Sequence, residues 1–340
     1  MKHVKFFALL LLIPLICGCS AVKLAHLFVP APSLGDPLLG ESSVQPIAVL
    51  LPYGYDANGA PYPTVYFLPG FGADHAQVAR LAADALNRQP KDAPPMIVVV
   101  VNGTNKLGGC FYVNSPVTGN WADYIANDVI PYVDAHFNTD PSPTARGIAG
   151  HSMGGFGAIH LALTQPDLFS HVYSMSPGLF GDNGFENSGI DFDLLQSSAG
   201  KYADLPTYLR AVSRMNWPDN FAHAYASAFA PDPLAPLPHF ALPDTEGDEI
   251  YRCYQKGFGG WEEKLAEHGD SLRGLVSFAV EYGESDALAW IPDGCRHLCA
   301  LLGEAGIAHQ QLPFDGGHTD KLPQRLANHM LPFFQAAFAD

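Results

Sequence analysis

Basic residues are scarce in this sequence of 340 residues, in which 18 Lys and Arg stand against 34 Asp and Glu and give a formal net charge of -16. An acidic surface repels phosphate groups, so this balance argues against binding to nucleic acid or anionic lipid. Charged residues make up only 15% of the chain, whereas hydrophobic residues make up 48%. This composition can bury a large core, which argues against a disordered, collagen-like or coiled-coil chain.

Long apolar runs are also rare. The run from Phe6 to Cys17 follows Lys2 and Lys5, and its length of about 12 residues fits a signal-peptide core rather than a membrane span of roughly 20 residues. We therefore expect residues 1–18 to be a signal peptide that is removed. Loss of its two lysines leaves 16 basic and 34 acidic residues, a net charge of -18.

The end of this leader indicates how the protein is attached. Residues 16–20, Ile-Cys-Gly-Cys-Ser, resemble the bacterial lipobox, in which small residues precede a cysteine that is acylated and becomes the new N-terminus. This predicts lipidation at Cys19, and Ser20 fits outer-membrane sorting; plain cleavage near Ala21 is the alternative. We expect an exported bacterial protein, either periplasmic or held at the outer membrane or cell surface, with residues 19–45 as a tether.

Cysteine is sparse in the rest of the chain, which holds Cys110, Cys253, Cys295 and Cys299. An oxidising compartment allows two disulfides in three connectivities, and buried free thiols are equally compatible with the sequence. Cys295 and Cys299 lie in a helical pattern without a second close pair of ligands, so we expect no zinc site.

Apolar runs of strand type alternate with helical patterns along residues 46–340. Strands are predicted at Pro46–Leu51, Thr64–Leu68, Met96–Val101, Ala145–Ala149, His171–Met175, Leu275–Tyr282 and Ile307–Pro313, and helices at Ala73–Arg88, Trp121–Phe137, Met153–Thr164, Pro292–Leu302 and Leu322–Phe338. Several strands lack polar alternation, which is typical of strands covered on both faces. The pattern predicts a single α/β domain with a mostly parallel, doubly wound sheet.

The alternation fails between Gly178 and Arg273, a connection of about 95 residues that is far longer than compact α/β units need. We therefore expect an insertion over about residues 178–273, with helical pieces near Leu205–Met215 and Tyr251–His268. It is rich in aromatic residues. These could form a small core of their own or line a substrate pocket as a lid, and both interpretations stay open.

The segment Gly150–Gly155, Gly-His-Ser-Met-Gly-Gly, is the clearest chemical signal in the chain. It follows one predicted strand and opens the predicted helix Met153–Thr164. A serine on such a tight turn needs small neighbours, and the turn raises its hydroxyl above the sheet. This predicts Ser152 as a nucleophile, with the Met153 N–H at the helix start available to a developing oxyanion.

A serine nucleophile needs a general base, and enzymes with this turn carry an acid and then a histidine later in the chain. Leu275–Tyr282 leads to a loop that carries Asp286, and Ile307–Pro313 leads to a glycine-rich loop that carries His318. The sequence therefore predicts Ser152 as the nucleophile, His318 as general base and then acid, and Asp286 as the residue that orients the imidazole.

Other residues compete for these roles. Glu284 and Asp315 could replace Asp286, which we favour because it lies furthest beyond its strand without adjoining the histidine. His151 adjoins Ser152 in sequence, but the turn directs it elsewhere, and we expect a packing or hydrogen-bonding role.

A second oxyanion donor is expected in the loop after an early strand. Thr64–Leu68 leads into Pro-Gly-Phe-Gly, and we predict the N–H of Phe71 as the donor, with Gly72 in reserve.

Together these motifs resemble the esterase D-type branch of the α/β-hydrolase superfamily, which includes feruloyl and acetylxylan esterases, enterochelin esterases, S-formylglutathione hydrolases and mycolyltransferases. The segments that carry the resemblance are Tyr62–Gly70, Phe111–Pro116, Trp121–Ile125, Ile130–Val133, Gly150–Gly155 and Gly316–His318. The resemblance implies an α/β-hydrolase fold with a lid-like or cap-like insertion before the catalytic acid, and a triad at Ser152, Asp286 and His318.

The sequence departs from this family pattern at two points. Pro69 stands before Gly70 where members often have histidine, which we expect to change loop packing only. Thr319-Asp320 follows the histidine where many carbohydrate-active members have tryptophan, which weakens an assignment to feruloyl or xylan esters.

The expected function is a serine carboxylic-ester hydrolase that works through an acyl-enzyme. It needs no cofactor or metal, because a triad and oxyanion donors suffice for acyl transfer. Expected partners are a small-molecule or glycan-linked ester and a membrane reached through the lipid anchor, with no nucleic acid. The alternatives are an acyltransferase acting on a sugar or lipid alcohol and a catalytically idle binding lipoprotein.

Overall fold

The computed structural model describes residues 21–339. The predicted signal peptide over residues 1–18 and Cys19, the predicted lipidation site, lie outside the described residues. Within residues 21–339, no helix combines the length and the apolar character that crossing a membrane requires.

An eight-stranded sheet forms the centre of the domain. Its strands are β1 (Lys23–Pro30), β2 (Val44–Leu51), β3 (Thr64–Leu68), β4 (Ile97–Val101), β5 (Arg146–His151), β6 (His171–Met175), β7 (Ser277–Gly283) and β8 (Gln310–Phe314). They lie side by side in the order β1-β2-β4-β3-β5-β6-β7-β8, and only β2 runs against the others. Strand β4 is a run of five buried aliphatic residues, as expected for a strand covered on both faces.

Helices cover both faces of this sheet. They are α1 (His75–Asn87), α2 (α-helical at Trp121–Asp123 and Ile130–His136, π-helical at Tyr124–Val129), α3 (Met153–Thr164), α4 (Phe192–Ser198), α5 (Leu205–Val212), α6 (Trp217–Phe229), α7 (Glu249–Phe258), α8 (Trp261–Arg273), α9 (Trp290–Glu304) and α10 (α-helical at Leu322–Arg325 and Leu331–Ala337, π-helical at Leu326–Met330). Helices α1 and α10 pack on one face, and α2, α3 and α9 contribute to the core on the other. The predicted mostly parallel, doubly wound sheet is confirmed.

The segment before β2 differs from its prediction. We expected residues 19–45 to be a tether, but Lys23–Pro30 pairs with β2 over eight residues as an antiparallel edge strand. Leu34 and Leu39, which follow it, are buried. The strand gives a weak sequence signal because most of its side chains are exposed or half-buried. The prediction of a tether is therefore corrected for residues 23–45, because β1 and the segment that follows it belong to the folded domain.

The insertion lies between β6 and β7 and carries helices α4 to α8. The predicted single helix near Tyr251–His268 is two helices, because Gly260 takes a left-handed conformation with φ +66° and turns the chain between α7 and α8. The insertion aromatics pack on one another and also on Phe111, Phe156 and Trp290 of the main domain. They therefore extend the core of the domain and do not form a separate core of their own.

The structure leaves all four cysteines of the described chain as free thiols, so it contains neither of the disulfides that the sequence allows. Cys110, Cys295 and Cys299 are buried, and burial raises the pKa of each thiol. They therefore act as small apolar groups rather than as nucleophiles.

Candidate active site

Four loops meet at the edge of the sheet where the parallel strands end. Strand β3 leads to Phe71, β5 to Ser152, β7 to Asp286 and β8 to His318. Because the carboxyl ends of parallel strands share one edge, residues far apart in sequence come together there. The structure thus brings the predicted nucleophile, acid, histidine and oxyanion loop into one region.

Ser152 occupies a strained turn between β5 and α3. Its backbone has φ 58° and ψ -117°, a conformation that side chains rarely adopt. The flanking glycines are sterically required, because a Cβ at Gly150 would lie 2.1 Å from the Gly154 carbonyl oxygen and one at Gly154 would lie 1.8 Å from the Leu68 carbonyl oxygen. This crowding explains why the motif needs glycine at both positions.

His318 and Asp286 form a direct hydrogen bond. The Nδ1 atom of His318 lies 2.7 Å from Oδ2 of Asp286, whose side chain is fully buried. The other carboxylate oxygen accepts the backbone N–H of Leu288 at 2.9 Å, which fixes the carboxylate. With its Nδ1–H donated to Asp286, the imidazole has Nε2 free to accept a proton. Ser152 and His318 line the same cavity.

The residues that competed with Asp286 and His318 in the sequence do not occupy the positions of an acid or a base beside Ser152. Glu284 and Asp315 are exposed, and among residues 21–339 neither side chain bonds to His318. His151 is buried, and its Nε2 lies 2.9 Å from the backbone carbonyl oxygen of His318. Burial lowers the pKa of His151 to about 3, so this imidazole is neutral at pH 7. The geometry therefore favours Asp286 as the acid and gives His151 a hydrogen-bonding role.

Two backbone N–H groups are available near Ser152 for an oxyanion. Met153 is the first residue of α3, so its N–H has no acceptor within the helix. The N–H of Gly72 donates to the Gly108 carbonyl at 2.8 Å and is already used, which favours Phe71 over its reserve. Both roles remain predictions.

No sequence pattern predicts a role for Tyr112, which supports the loop of the predicted oxyanion donor Phe71. Its buried hydroxyl donates to the Pro69 carbonyl oxygen at 2.8 Å, one residue before Gly70. Gly103 permits this contact, since a Cβ there would lie 2.0 Å from the hydroxyl. Tyr112 has a φ of 57°, a strained value that sequence patterns do not reveal.

A buried ion pair behind the histidine loop was also missed. Arg325 of α10 and Glu281 of β7 are both about 1% exposed and lie 3.1 Å apart. The sequence contains two signals of this ion pair. Arg325 lies on the apolar face of a predicted helix, and Glu281 lies in an apolar strand. Each charge needs a partner when it is buried.

The cavity beside Ser152 has a volume of about 330 Å³. Its lining is mostly apolar and carries no Lys, Arg, Asp or Glu: Phe67, Pro69, Gly70, Phe71, Ala73, Val78, Leu81, His151, Ser152, Trp217, Leu288, His318, Thr319, Leu322 and Leu326. Trp217 alone comes from the insertion. The walls are therefore built mainly by α1, α10 and the loops of the sheet.

One group of potential metal ligands occurs in the described chain, at a separate cavity beside the insertion. It consists of Asp182, Glu262 and His297, and His297 already uses Nε2 to contact Glu262 at 2.9 Å. Both acids are exposed, and exposed acidic groups commonly lie together without a metal. We assign no metal to it.

Comparison with known proteins agrees with this architecture. Esterase Rv1288 of Mycobacterium tuberculosis is 32% identical over 135 residues, which cover 38% of this chain and only 28% of the relative. A ferulic acid esterase structure superposes with a TM-score of 0.59 at 20% identity, covering 94% of this chain and 99% of that one. FphF, a fluorophosphonate-binding serine hydrolase of Staphylococcus aureus, gives 0.61 at 18% identity, covering 92% and 99%.

These structural likenesses show the α/β-hydrolase fold. A family model described as "Putative esterase" matches residues 43–221, more than half of the chain, and includes the Ser152 turn. The chain therefore belongs to this esterase family.

Proposed function

We propose that this protein is a serine carboxylic-ester hydrolase that acts through an acyl-enzyme, with Ser152, His318 and Asp286 as its triad. The observation that carries the proposal is the hydrogen bond of 2.7 Å between His318 and the fully buried Asp286, beside a serine on a strained turn in the same cavity. Membership of the esterase family supports the reaction class.

In the first half of the reaction, the Ser152 hydroxyl attacks the ester carbonyl while His318 Nε2 takes its proton. The negative charge on the tetrahedral intermediate is stabilised by the N–H groups of Phe71 and Met153. The imidazolium, paired with Asp286, then gives its proton to the departing alcohol. The products are a free alcohol and an ester of Ser152.

The second half repeats these steps with water. His318 takes a proton from a water molecule as it attacks the acyl-enzyme, and the proton then passes to the Ser152 oxygen as the acyl–oxygen bond breaks. The acid leaves and the resting enzyme is restored.

The lining of the cavity supports an ester with an uncharged, apolar portion next to the carbonyl. Val78 and Leu81 of α1 line this cavity together with Leu322 and Leu326 of α10, and it has no charged wall residue to pair with a charged substrate group. We expect p-nitrophenyl esters of apolar acids to be hydrolysed with at least roughly tenfold higher kcat/KM than the hemisuccinate, since an unpaired buried charge is costly.

The test combines a fluorophosphonate probe with a chain-length series of p-nitrophenyl esters, using the mature wild-type protein and Ser152→Ala. Labelling of the wild type alone, together with hydrolysis that the variant lacks, is the expected result. Hydrolysis retained by a folded Ser152→Ala variant would refute the proposal. Absence of labelling and of hydrolysis in the folded wild type would instead favour a binding role.

We also propose that the mature protein is exported and acylated at Cys19. The lipobox-like residues 16–20 support this, and only residues 20–22 would then separate the anchor from β1. Intact mass spectrometry of the mature protein would show a diacylated or triacylated N-terminal cysteine. An unmodified N-terminus beyond residue 19 would exclude the anchor.

A further inference from the structure

The backbone carbonyl of His318 accepts hydrogen bonds from two side chains. His151 Nε2 lies 2.9 Å from this oxygen, and Arg325 Nη1 lies 3.3 Å from it. His318 sits in the connection between β8 and α10, directly after two glycines. Glycines give a loop conformational freedom, so the position of this histidine depends on such contacts.

The two donors are themselves held by different parts of the fold. His151 is the last residue of β5 and adjoins Ser152, so it ties the histidine loop to the nucleophile turn. Its ring lies close to that of His318, with centroids 4.8 Å apart. Since its imidazole is neutral, the Nε2–H donor leaves Nδ1 unprotonated.

Arg325 is fixed from three further directions. It pairs with Glu281 at 3.1 Å, donates to the Ser176 hydroxyl at 3.0 Å and lies over the Phe314 ring at 4.3 Å. Glu281 also accepts from His329 at 2.6 Å. Because Glu281 belongs to the strand that leads to Asp286, this ion pair links the acid loop to the helix after the histidine.

We propose that His151 and Arg325 are positioning residues that hold the main chain of His318, and with it the imidazole, in register with Ser152 and Asp286. The proposal rests on the proposed function of the triad. A carbonyl anchored on the histidine itself limits movement of its Cα, so losing a donor misplaces the ring without removing any reacting group. Misplacements of about 1 Å can reduce turnover about 100-fold.

Three variants test this role. His151→Phe keeps a ring but removes the donor, His151→Gln restores an N–H at the Nε2 position, and His223→Phe makes the same change at a buried histidine of the insertion. We expect His151→Phe to lower kcat about 10- to 100-fold with KM changed less than about threefold. His151→Gln should return kcat to within about fivefold of the wild type, and His223→Phe should leave it within about twofold.

The outcomes separate this proposal from the one on which it rests. An active wild type with unchanged kcat in His151→Phe, or a loss of kcat that His151→Gln does not restore, would overturn the positioning role and leave the triad intact. A folded wild type without esterase activity would refute both proposals. If His151→Phe does not fold, Arg325→Lys decides: it keeps a charge for Glu281 but shortens the reach to His318, and it should show the same loss of kcat at constant KM.

Discussion

The edge of the sheet that carries the proposed triad is stabilised by different interactions from those that stabilise the insertion. At the edge, the loops are held by the hydrogen bond between His151 and the His318 carbonyl and by the buried ion pair of Arg325 and Glu281. Glycines there allow the backbone segments to approach closely. In the insertion, aromatic rings such as Phe185, Phe192 and Tyr254 pack edge to face or at tilted angles. Hydrogen bonds have narrow distance and angle limits, whereas apolar packing tolerates small shifts.

We expect the two regions to affect turnover and stability differently. Polar contacts at the edge position the groups of the proposed triad, so substitutions there should lower kcat more than they lower the free energy of unfolding. Aromatic packing in the insertion buries apolar surface, so substitutions there should lower the free energy of unfolding more than they lower kcat.

Asp286→Asn should produce the largest change. If the amide oxygen keeps its hydrogen bond from the Leu288 N–H, the amide NH2 faces His318 Nδ1 and donates to it. This favours the tautomer with the proton on Nε2, which cannot act as the base, and kcat should fall about 10³- to 10⁴-fold. Steady-state kinetics and circular dichroism measure turnover and folding. Glu284→Gln, at an exposed neighbour, is the control and should keep wild-type kcat. Near-normal turnover in Asp286→Asn would assign the acid elsewhere.

Phe185→Ala should affect the insertion in the opposite sense. This ring is 6% exposed and packs against Phe180, Phe192 and Tyr251. Its removal should reduce the free energy of unfolding by about 3 kcal/mol while kcat stays within about threefold. Urea denaturation measures the loss, with the exposed Phe28→Ala as a control expected to cost less than about 0.5 kcal/mol. A tenfold drop in kcat in a folded Phe185→Ala protein would contradict the expectation that the insertion contributes mainly to stability.

Acidification should weaken the insertion through His223. Burial lowers the pKa of His223 to about 4, below its ordinary value of 6.5, so the unfolded chain binds a proton that the folded chain excludes between these values. Stability should therefore fall as the pH decreases from about 6.5 to about 4, by up to about 1.4 kcal/mol per pH unit from this group.

Denaturation curves at several pH values measure how steeply the free energy of unfolding changes with pH in the wild type and in His223→Phe. The variant loses hydrogen bonds to Tyr208 and Ser198, which lowers its stability at every pH, but its slope should be flatter. Identical slopes would show that His223 does not contribute.

Trp217→Ala should have the smallest effect, because much of this side chain is exposed. Trp217 belongs to the insertion and also borders the cavity beside Ser152. Its ring is 48% exposed and stacks on Phe221. We expect KM for an apolar ester to rise about 3- to 10-fold, with kcat nearly constant and less than about 1 kcal/mol lost in stability. Trp217→Phe should be intermediate. An unchanged KM in Trp217→Ala would exclude the insertion from substrate binding.

The sequence predicts the sheet well because most of its strands are buried aliphatic runs with short turns between them. It also predicts the chain order of Ser152, Asp286 and His318, since each follows a strand at the same edge. Strand β1 is missed because an edge strand with exposed residues lacks a clear pattern. The break at Gly260 is missed because helical periodicity continues on both sides of it.

The contacts that support the site could not be predicted in the same way. Arg325 reaches His318 and Glu281 only after β7, β8 and α10 have assembled, so no local pattern connects them. Tyr112 reaches Pro69 through a backbone with positive φ, which tertiary packing imposes on a residue that does not favour it. Local patterns predict the residues of the proposed triad, whereas the contacts that would position them are long-range.

An acyl-enzyme on Ser152 is the intermediate that the proposed mechanism requires. Rapid quenching during turnover of a p-nitrophenyl ester, followed by intact mass measurement and peptide mapping, should reveal one acyl group on the peptide that contains Ser152, together with a burst of about one p-nitrophenolate per enzyme. Steady hydrolysis without this adduct, or an acyl group on another residue, would contradict the proposal that Ser152 is the nucleophile.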